Sequence, residues 1–369
     1  MTYPLCMNGS TMATGRVPLP AFLTTALSTA TLCAAALCTT ALCTIALSLP
    51  AQAQDALAGI VSPLVGEKSA DQIIPDLPFD AIPPLNFHEI VTHIVGGQRI
   101  AITYCPLTNS AVVFDATDIT FGNTGALFNN NVVMYDTDTR SFWSQMAAGS
   151  IHGDRAGEHL SLLPVVHTRF RTWREFFPDT KLLSSSTGYS RNYRVDPYVR
   201  SGYTQNTDIF FPQGGPVDTR RHPKEMVFGL ARNGSALAYP YTDLAAQGVV
   251  NDRVNGDDIV IFYDDPARLA IGFSRRLGGR LLHFRASESI DDRSPLFEDV
   301  ETRSTWTILG GAVAGELDGS QLVGVATYSA YWFGWSSFWL GSDIWDGQSL
   351  TPPDTAVAES TWGQVKNRN

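Results

Sequence analysis

The chain has 369 residues and a formal net charge of −10, with 36 acidic residues against 26 basic ones. This balance argues against a nucleic-acid partner, because affinity for phosphates depends on Lys and Arg side chains. The length suits one large domain or two smaller ones, so the size of the apolar core is not limiting.

Residues 1–53 have the composition of a secretory signal. One charged residue, Arg16, precedes an apolar run over 21–49, and the small-residue sequence AQA ends at Ala53. This order predicts cleavage after Ala53 and a periplasmic or extracellular location. The apolar run is also long enough to span a bilayer, so an uncleaved membrane anchor is the alternative, and only that alternative implies a membrane partner.

Cleavage would remove four of the five cysteines and leave Cys105 as the single thiol. The exported chain then has no internal disulfide. A lone cysteine in an exported protein is reactive, metal-bound or buried. Cys105 ends the apolar segment RIAITYC and stands directly before Pro106.

Short β-branched and aromatic segments bounded by Gly, Asn, Asp or Pro predict strands along the chain: RIAITYC, SAVVFDA, NVVMYD, IVIFYD and LAIGFS. The sequence RRLGGRLLHF predicts a hairpin that turns at Gly278-Gly279. Thr172 and Glu175 have capping-box spacing, so a helix is expected to start at Thr172 and to end before Pro178.

Two parts of the chain repeat each other. DTDTRSFW (136–143) matches DVETRSTW (299–306), VGGQRIAITY (95–104) matches VNGDDIVIFY (254–263), and in the segments that follow Trp173 falls on Trp335. Conserved order at a nearly constant offset indicates an internal duplication. We therefore expect an α+β fold, predominantly β, with two internally duplicated halves related by an approximate pseudo-two-fold.

The duplication also divides the chain. The expected parts are a signal peptide (1–53), an N-terminal extension (54–87), a first half (88–183), a loop-rich connecting region (184–246), a second half (247–345) and a C-terminal tail (346–369). The charge-free stretch 322–342 is long enough to span a membrane, but its partner at 160–177 carries several charges. We therefore expect 322–342 to be a buried strand and helix.

Four segments resemble the bacterial domain-of-unknown-function 3179 family: HEIVTHIVGGQRIAITYCPLTNSAVVFD (88–115), LFNNNVVMYDTDTRSFW (127–143), STGYSRNYRVDPY (185–198) and AYPYTDLAAQGVVND (238–252). The resemblance covers about residues 80 to 345 and implies an exported or membrane-associated protein without an assigned activity. The family pattern Cys-Pro-Leu-Cys-Asn reads Cys105-Pro106-Leu107-Thr108-Asn109 here. Because Thr108 replaces the second cysteine, the resemblance does not carry a dithiol or two-thiolate site to this chain.

The two halves differ around Cys105. An offset of 159 places Asp264 opposite Cys105, Gln247 opposite His88 and Gly248 opposite Glu89. Cys, His and Glu are thus gathered in the first half alone, as is His93, which lies opposite Asp252. This asymmetry points to the first half as the place for a chemical site.

Three interpretations of Cys105 stay open. It is a buried core residue, or it binds copper or zinc together with His88 and His93, or it is a nucleophile with His88 as base and Glu89 as the orienting group. Either of the last two predicts that the sulfur lies within about 4 Å of a His88 ring nitrogen. The reaction and the question whether the protein is an enzyme stay undetermined.

Two other groups of residues are candidates for binding a small ligand. Arg191 and Tyr193 lie in a segment where Arg and Tyr alternate, which suits an anionic or aromatic ligand. Trp332 and Trp335 lie in an aromatic cluster of the second half that suits a sugar or a quaternary amine. In this alternative the chain is a non-catalytic binding or structural module.

Overall fold

The computed structural model describes residues 84–350, apart from 181, 182, 184, 233, 234 and 291–293. The expected signal peptide, most of the N-terminal extension and most of the C-terminal tail lie outside the described residues. Strand is the predominant structure in the described chain, and helices are few and short. The prediction of an α+β fold that is predominantly β is confirmed.

The first half consists of two antiparallel meanders. A short helix precedes the first sheet, which has the order β1-β2-β3-β8, and the second sheet has the order β4-β5-β6-β7. The elements are α1 (Leu85–His88), β1 (Ile90–Val95), β2 (Gln98–Cys105), β3 (Ser110–Asp115), β4 (Phe121–Phe128), β5 (Asn131–Asp136), β6 (Phe142–Ser144), β7 (Gly149–His152), β8 (Leu162–Leu163) and α2 (Phe170–Phe176).

The connecting region contributes a short helix, a 3-10 turn and the first two strands of a third sheet. These elements are α3 (Pro197–Arg200), the 3-10 turn Tyr203–Gln205, β9 (Met226–Arg232) and β10 (Ser235–Pro240). The segment 185–218, which contains α3 and the 3-10 turn, is called the cover below, because it lies over the end of β2.

The second half begins, like the first, with a short helix and an antiparallel meander, and it also contains a hairpin and further strands that the described part of the first half lacks. Its elements are α4 (Tyr241–Gln247), β11 (Val249–Val254), β12 (Asp257–Asp264), β13 (Leu269–Ser274), β14 (Arg276–Leu277), β15 (Arg280–Leu281), β16 (Phe284–Ile290), β17 (Pro295–Asp299), β18 (Thr305–Thr307), β19 (Ala312–Ala314), β20 (Tyr328–Tyr331), α5 (Trp332–Phe338) and β21 (Asp343–Ile344). Strands β11-β12-β13 and β16-β17-β18-β19 form two meanders, and β20-β9-β10-β21 forms the third sheet.

The strand registers of the two halves agree. Ile90 pairs with Thr103 across β1 and β2, and Val249 pairs with Phe262 across β11 and β12, each residue 159 positions later. The same shift relates the β2–β3 pairing to the β12–β13 pairing. Register fixes which face of a strand is buried, so the two meanders bury corresponding positions.

The matching DTDTRSFW and DVETRSTW segments form the same turn. Asp136 accepts hydrogen bonds from Thr139 Oγ1 (2.9 Å) and from Trp143 Nε1 (2.9 Å). Asp299 accepts them from the Thr302 hydroxyl and from Trp306 Nε1 at 2.7 and 2.9 Å. Both indoles are fully buried, and each carboxylate satisfies one buried N–H donor.

Each half buries a helix of the other half. Trp173 of α2 lies in a core cluster with Phe262 and Trp306, whereas Trp335 of α5 lies in a cluster with Trp143 and Met134. Both indole N–H groups donate to a hydroxyl seven residues later, at Thr180 Oγ1 (3.0 Å) and Ser342 Oγ (2.8 Å). This reciprocal packing joins the halves through their cores.

Most local predictions are confirmed, and one is corrected. The predicted strands form, β14 and β15 pair around Gly278-Gly279, and the stretch 322–342 contains the buried strand β20 and helix α5. Helix α2 ends before Pro178 as expected, but it begins at Phe170, without a side-chain cap at Arg169. Thr172 is buried inside the helix and therefore does not cap it. Within the described residues no helix combines the length and apolarity needed to cross a membrane.

Candidate functional site

The turn after β2 places Cys105 at the centre of a small buried cluster. Pro106 ends the strand, because it has no backbone N–H to donate, and the chain reverses so that Cys105 pairs with Ser110 of β3. The thiol is fully buried with Leu107, Val132 and Tyr203. Its Sγ donates a hydrogen bond to the Asn130 carbonyl at 3.5 Å.

The surroundings of this cysteine favour the neutral thiol. Burial raises the pKa of Cys105, and the negative charge of Glu89 raises it further. Hydrogen bonds from the Thr108 hydroxyl and from the backbone N–H groups of Thr108 and Leu107 act in the opposite direction, because they favour the thiolate. The turn therefore contains hydrogen-bond donors that favour a thiolate, although burial and Glu89 favour the neutral thiol.

Glu89 stands beside β2 in an unusual backbone conformation. It joins α1 to β1 with a φ of 61°, in the left-handed region, where the second half has Gly248 with a φ of 71°. The Tyr104 N–H donates to the Glu89 carbonyl at 2.8 Å, and Asn123 Nδ2 donates to the carboxylate at 2.6 Å. Burial raises the pKa of Glu89, and the Asn123 bond only partly offsets this. Non-glycine residues held in such backbone regions concentrate at functional sites.

A buried polar network adjoins the turn. Asn131 Nδ2 donates to Gln145 Oε1 at 2.7 Å and to Thr108 Oγ1 at 3.0 Å, and Gln145 Nε2 donates to Thr103 Oγ1 at 2.9 Å. Ser110 Oγ donates to the same Gln145 oxygen at 2.8 Å. All five side chains are buried. Thr108 joins this network to the turn that follows Cys105.

The cover closes the site on its outer side. The Tyr203 hydroxyl donates to the Leu107 carbonyl at 2.9 Å, and Asn130 exchanges two hydrogen bonds with the backbone of Phe211, at 2.8 and 2.9 Å. Asp196 caps α3 and accepts from Asn86 Nδ2 at 2.9 Å. The other amide atom of Asn86, Oδ1, is buried without a hydrogen-bond partner among the described residues. Such an acceptor suits a polar ligand or a water molecule.

His88 takes part in a different cluster. Its Nε2 lies 2.5 Å from the Tyr193 hydroxyl, which in turn lies 2.5 Å from Thr187 Oγ1, and the Tyr189 ring is 4.9 Å from the imidazole. Burial and then the positive charge of Arg191 lower the pKa of His88. The structure thus brings together His88, Arg191 and Tyr193, whereas the carboxylate of Glu89 is the charge that acts on the thiol. The expected distance of about 4 Å between the Cys105 sulfur and a His88 ring nitrogen stays a prediction.

The proposed set of metal ligands is not assembled. His93 lies in β1 opposite Ile100, half-buried. In the part of the chain that the structure describes, no group of three or more His, Cys, Asp or Glu side chains is arranged to hold a metal ion. The expectation of copper or zinc bound by Cys105, His88 and His93 therefore receives no support.

Trp332 and Trp335 belong to the core. Both are fully buried, and their N–H groups donate to the Asp218 carbonyl (3.0 Å) and to Ser342 Oγ. The Trp335 ring lies so close to Gly229 that a Cβ there would come within 2.0 Å of it. A ligand could reach these indoles only after the core opens, so their burial supports a structural role.

Several site residues were missed by the sequence analysis: Asn123, Asn131, Gln145 and Tyr203. A comparison of the two repeated segments does contain one signal for these residues. The polar side chains Thr103, Ser110 and Gln145 fall on Phe262, Leu269 and Ile308 in the second half. Where one half buries a polar side chain and the other half buries an apolar side chain at the same position, the polar side chain has a role other than filling the core.

These observations define the class of the protein: a predominantly β fold whose first half holds a free, buried cysteine among a carboxylate and polar side chains. Residues 82–341 match the family described as a protein of unknown function, DUF3179, and the chain belongs to this family. No curated protein and no solved structure matched the chain.

Proposed function

We propose that the first half carries a nucleophilic thiol site, in which Cys105 attacks a small electrophilic substrate and Glu89 accepts its proton. The observation that supports it best is the contrast between the halves. Around the turn after β2 the chain buries a thiol, a carboxylate in the left-handed region and a polar network, and at the corresponding positions it places Asp264, Gly248 and apolar side chains.

The proton transfer from Cys105 to Glu89 conserves the charge of the site. The proton moves from the Cys105 sulfur to the Glu89 carboxylate, so the site carries one negative charge before and after the transfer. Burial raises the pKa of Glu89, which makes its carboxylate a stronger base than an exposed one. The N–H groups of Leu107 and Thr108 favour the thiolate. The sulfur electron pair forms a bond to an electrophilic carbon of the substrate, the electron pair of the bond that opens at this carbon moves to the atom at its other end, and that atom takes the proton from the Glu89 carboxyl.

The pH dependence of Cys105 alkylation tests this proposal. If Glu89 accepts the proton, the wild-type rate reaches a pH-independent plateau once Glu89 is ionised. In Glu89→Gln the plateau is lost, and the rate rises about tenfold for each pH unit below the thiol pKa. The Cys105→Ser variant measures the background alkylation of other reactive groups.

A non-catalytic structural module predicts a different result. In that case wild type and Glu89→Gln follow the same tenfold rise per pH unit, or neither reacts at any pH, and Cys105 is a core residue.

We also propose that the two halves, 88–183 and 247–345, are an internal duplication with an approximate two-fold relation, separated by the connecting region. The shared strand registers, the shared Asp–Thr–Trp turn and the exchanged helices support this proposal. An experimental structure tests it: after superposition of β1–β3 on β11–β13, Trp143 is expected to fall on Trp306. Indoles in different places would contradict the duplication.

The third proposal concerns location. We propose that the protein is exported and acts in the periplasm or outside the cell, supported by the apolar run before Ala53. The intact mass of protein recovered from the periplasm is expected to correspond to a chain that starts at Gln54. A mass that includes residues 21–49 would favour the membrane anchor.

A further inference from the structure

Three arginines surround one buried carboxylate at an end of the β11-β12-β13 sheet. Asp258 lies near the start of β12, and Arg253 is its cross-strand partner in β11. Arg275 and Arg276 come directly after β13. The Asp258 carboxylate lies 2.5 Å from Arg276 Nη2, 3.6 Å from Arg275 Nη2 and 3.8 Å from Arg253 Nε. A single carboxylate thus faces three guanidinium groups.

The buried pair in this cluster is incompletely hydrogen-bonded. The side chains of Arg275 and Asp258 are only 2% and 3% exposed. Arg275 Nε has no hydrogen-bond partner among the described residues, and the two Nη atoms reach only the carbonyls of Leu282 (3.5 Å) and Asp252 (3.3 Å). Asp258 Oδ2 accepts no hydrogen bond within the described chain either, because the N–H bonds of Arg276 are not directed at it. A buried donor and a buried acceptor side by side call for a partner that offers both functions.

The first half shows that the fold does not need these arginines. The Ala116 N–H donates to the Arg99 carbonyl at 2.9 Å, and the Arg275 N–H donates to the Asp258 carbonyl at 3.0 Å, each residue 159 positions later. A small apolar side chain therefore serves where the second half buries a guanidinium. The other two arginines fall on Ile94 and Thr117. Since burial of a charged group is costly, packing alone does not account for Arg275.

We propose that this cluster binds a small oxyanion that still carries a proton: inorganic phosphate or the phosphoryl group of a phosphomonoester. The unprotonated oxygens accept hydrogen bonds from the arginines, including Arg275 Nε, and the P–O–H group donates to the Asp258 carboxylate. Guanidinium groups match phosphate oxygens in geometry. The side chains of Arg253 and Arg276 are 61% and 58% exposed, so they can meet the ligand from solvent. This inference goes beyond the thiol function and involves no step at Cys105.

Other charges near the arginines decide what kind of recognition is expected. Asp252 and Glu301 also act on Arg275, and both carboxylates accept hydrogen bonds from other residues. Burial lowers the pKa of Arg275, whereas these two carboxylates and Asp258 act in the opposite direction. Three arginines against three carboxylates leave the formal charge balanced. Directed hydrogen bonds, rather than a net positive charge, therefore have to select the ligand.

Titration calorimetry with inorganic phosphate and with sulfate tests the proposal, at about pH 6, where a phosphoryl group still keeps a proton in part. Sulfate has the same shape but no proton, so it leaves the Asp258 carboxylate facing an unprotonated oxygen. Phosphate is expected to bind about ten- to hundredfold more tightly than sulfate, the effect of one hydrogen bond to a charged group. Methyl phosphate distinguishes the sources: binding as tight as that of inorganic phosphate identifies a phosphomonoester, and weaker binding identifies free phosphate.

Three variants assign the binding to this cluster. Arg276→Met removes an exposed guanidinium and is expected to weaken phosphate binding about tenfold or more. The matched control is Arg280→Met, because Arg280 is 52% exposed and paired with Glu316, and phosphate binding should not change. Asp258→Asn replaces the acceptor by an amide that also donates, so phosphate and sulfate should then bind with similar affinity. The result for Arg276→Met does not depend on the folding of this buried variant.

Two results with the wild-type protein would overturn the proposal. Without phosphate binding, the buried pair is completed by water alone, and equal affinity for phosphate and sulfate would deny Asp258 its role as acceptor. An effect of Arg280→Met as large as that of Arg276→Met would show that phosphate responds only to surface charge. The thiol function is tested separately, since Cys105→Ser is expected to bind phosphate as the wild type does.

Discussion

The turn after β2 and the turn after β12 are built alike but surrounded differently. In the first half the backbone N–H of Thr108 favours the Cys105 thiolate, and in the second half Asp264 Oδ1 accepts a hydrogen bond from the N–H of Ala267 at 3.2 Å, three residues on in both cases. An acceptor at this position is therefore a property of the turn, which either side chain can supply. The hydrogen-bond donors around the sulfur therefore do not by themselves distinguish the turn at Cys105 from the turn at Asp264.

The distinction lies in the next layer of side chains. The second half packs Phe262, Ala267, Leu269 and Ile308 where the first half buries Thr103, Thr108, Ser110 and Gln145. Buried hydrogen-bonded side chains stabilise a fold little compared with well-packed apolar ones, and they are costly when a partner is missing. The second half shows that this scaffold can do without them, so a role beyond packing accounts best for their presence.

The largest effect is expected where the halves agree. Trp143→Ala and Trp306→Ala each remove a fully buried indole that donates to a buried carboxylate. Each substitution is expected to lower the free energy of unfolding by about 3–5 kcal/mol, measured by denaturant unfolding. Trp→Phe at the same two positions, which keeps much of the volume, serves as the milder pair. A large cost at one indole and a negligible cost at the other would break the equivalence of the halves.

A smaller effect is expected where the halves differ. Gln145→Leu introduces the apolar character of Ile308 but leaves Asn131 and Thr103 without the partner they now have. We expect a loss of about 1–3 kcal/mol in the free energy of unfolding, the cost of removing hydrogen bonds from buried polar groups. The control is Ile308→Leu, a volume-conserving change in an apolar site that is expected to cost less than about 1.5 kcal/mol. If Gln145→Leu is stabilising, the network is not a connected unit.

The outline of the fold was accessible from the sequence because it rests on local patterns. Strands such as RIAITYC are continuous apolar runs closed by turn residues, and their repetition at a fixed offset predicted two similar meanders. The helix start was misplaced because the capping-box pattern at Thr172 ignores the packing of its side chain, which is buried. Tertiary contacts overrode the local signal.

The site was only partly predictable for a related reason. Cys105 and Glu89 were visible as residues unique to the first half. The left-handed backbone at Glu89 explains why the corresponding residue of the second half, Gly248, is a glycine. The polar network could not be derived, because its members come from β2, the turn after it, β3, β5 and the segment after β6 and meet only in the folded chain. Tyr203 lies in the cover, whose position over β2 depends on long-range contacts with no sequence period.

The left-handed backbone at Glu89 gives a smaller, paired prediction. Glu89→Gly is expected to stabilise the protein by about 1 kcal/mol, because it relieves a conformation that disfavours side chains, while the alkylation plateau disappears. Gly248→Ala is expected to cost about the same amount, since a Cβ at Gly248 would meet nothing within 4 Å and only backbone strain remains. Thermal or denaturant unfolding measures both. If Glu89→Gly is clearly destabilising, the carboxylate holds the fold together and its retention needs no functional reason.

The smallest expected effect is a pH dependence confined to the first half. Because burial raises the pKa of Glu89 above its ordinary value of 4.5, folding favours the protonated carboxyl. The stabilising contribution of Glu89 is therefore fully present below the pKa of the unfolded chain and is lost as the pH rises through the higher pKa of the folded state. Glu89→Gln keeps a neutral side chain throughout, so its stability relative to wild type should grow across that window and then level off.

Unfolding free energies of both proteins at a series of pH values test this. Glu316→Gln, at an exposed carboxylate paired with Arg280, is the control and should show no such growth. A constant difference between wild type and Glu89→Gln would mean that Glu89 is as well solvated as a surface carboxylate, which would remove the base from the proposed thiol pair.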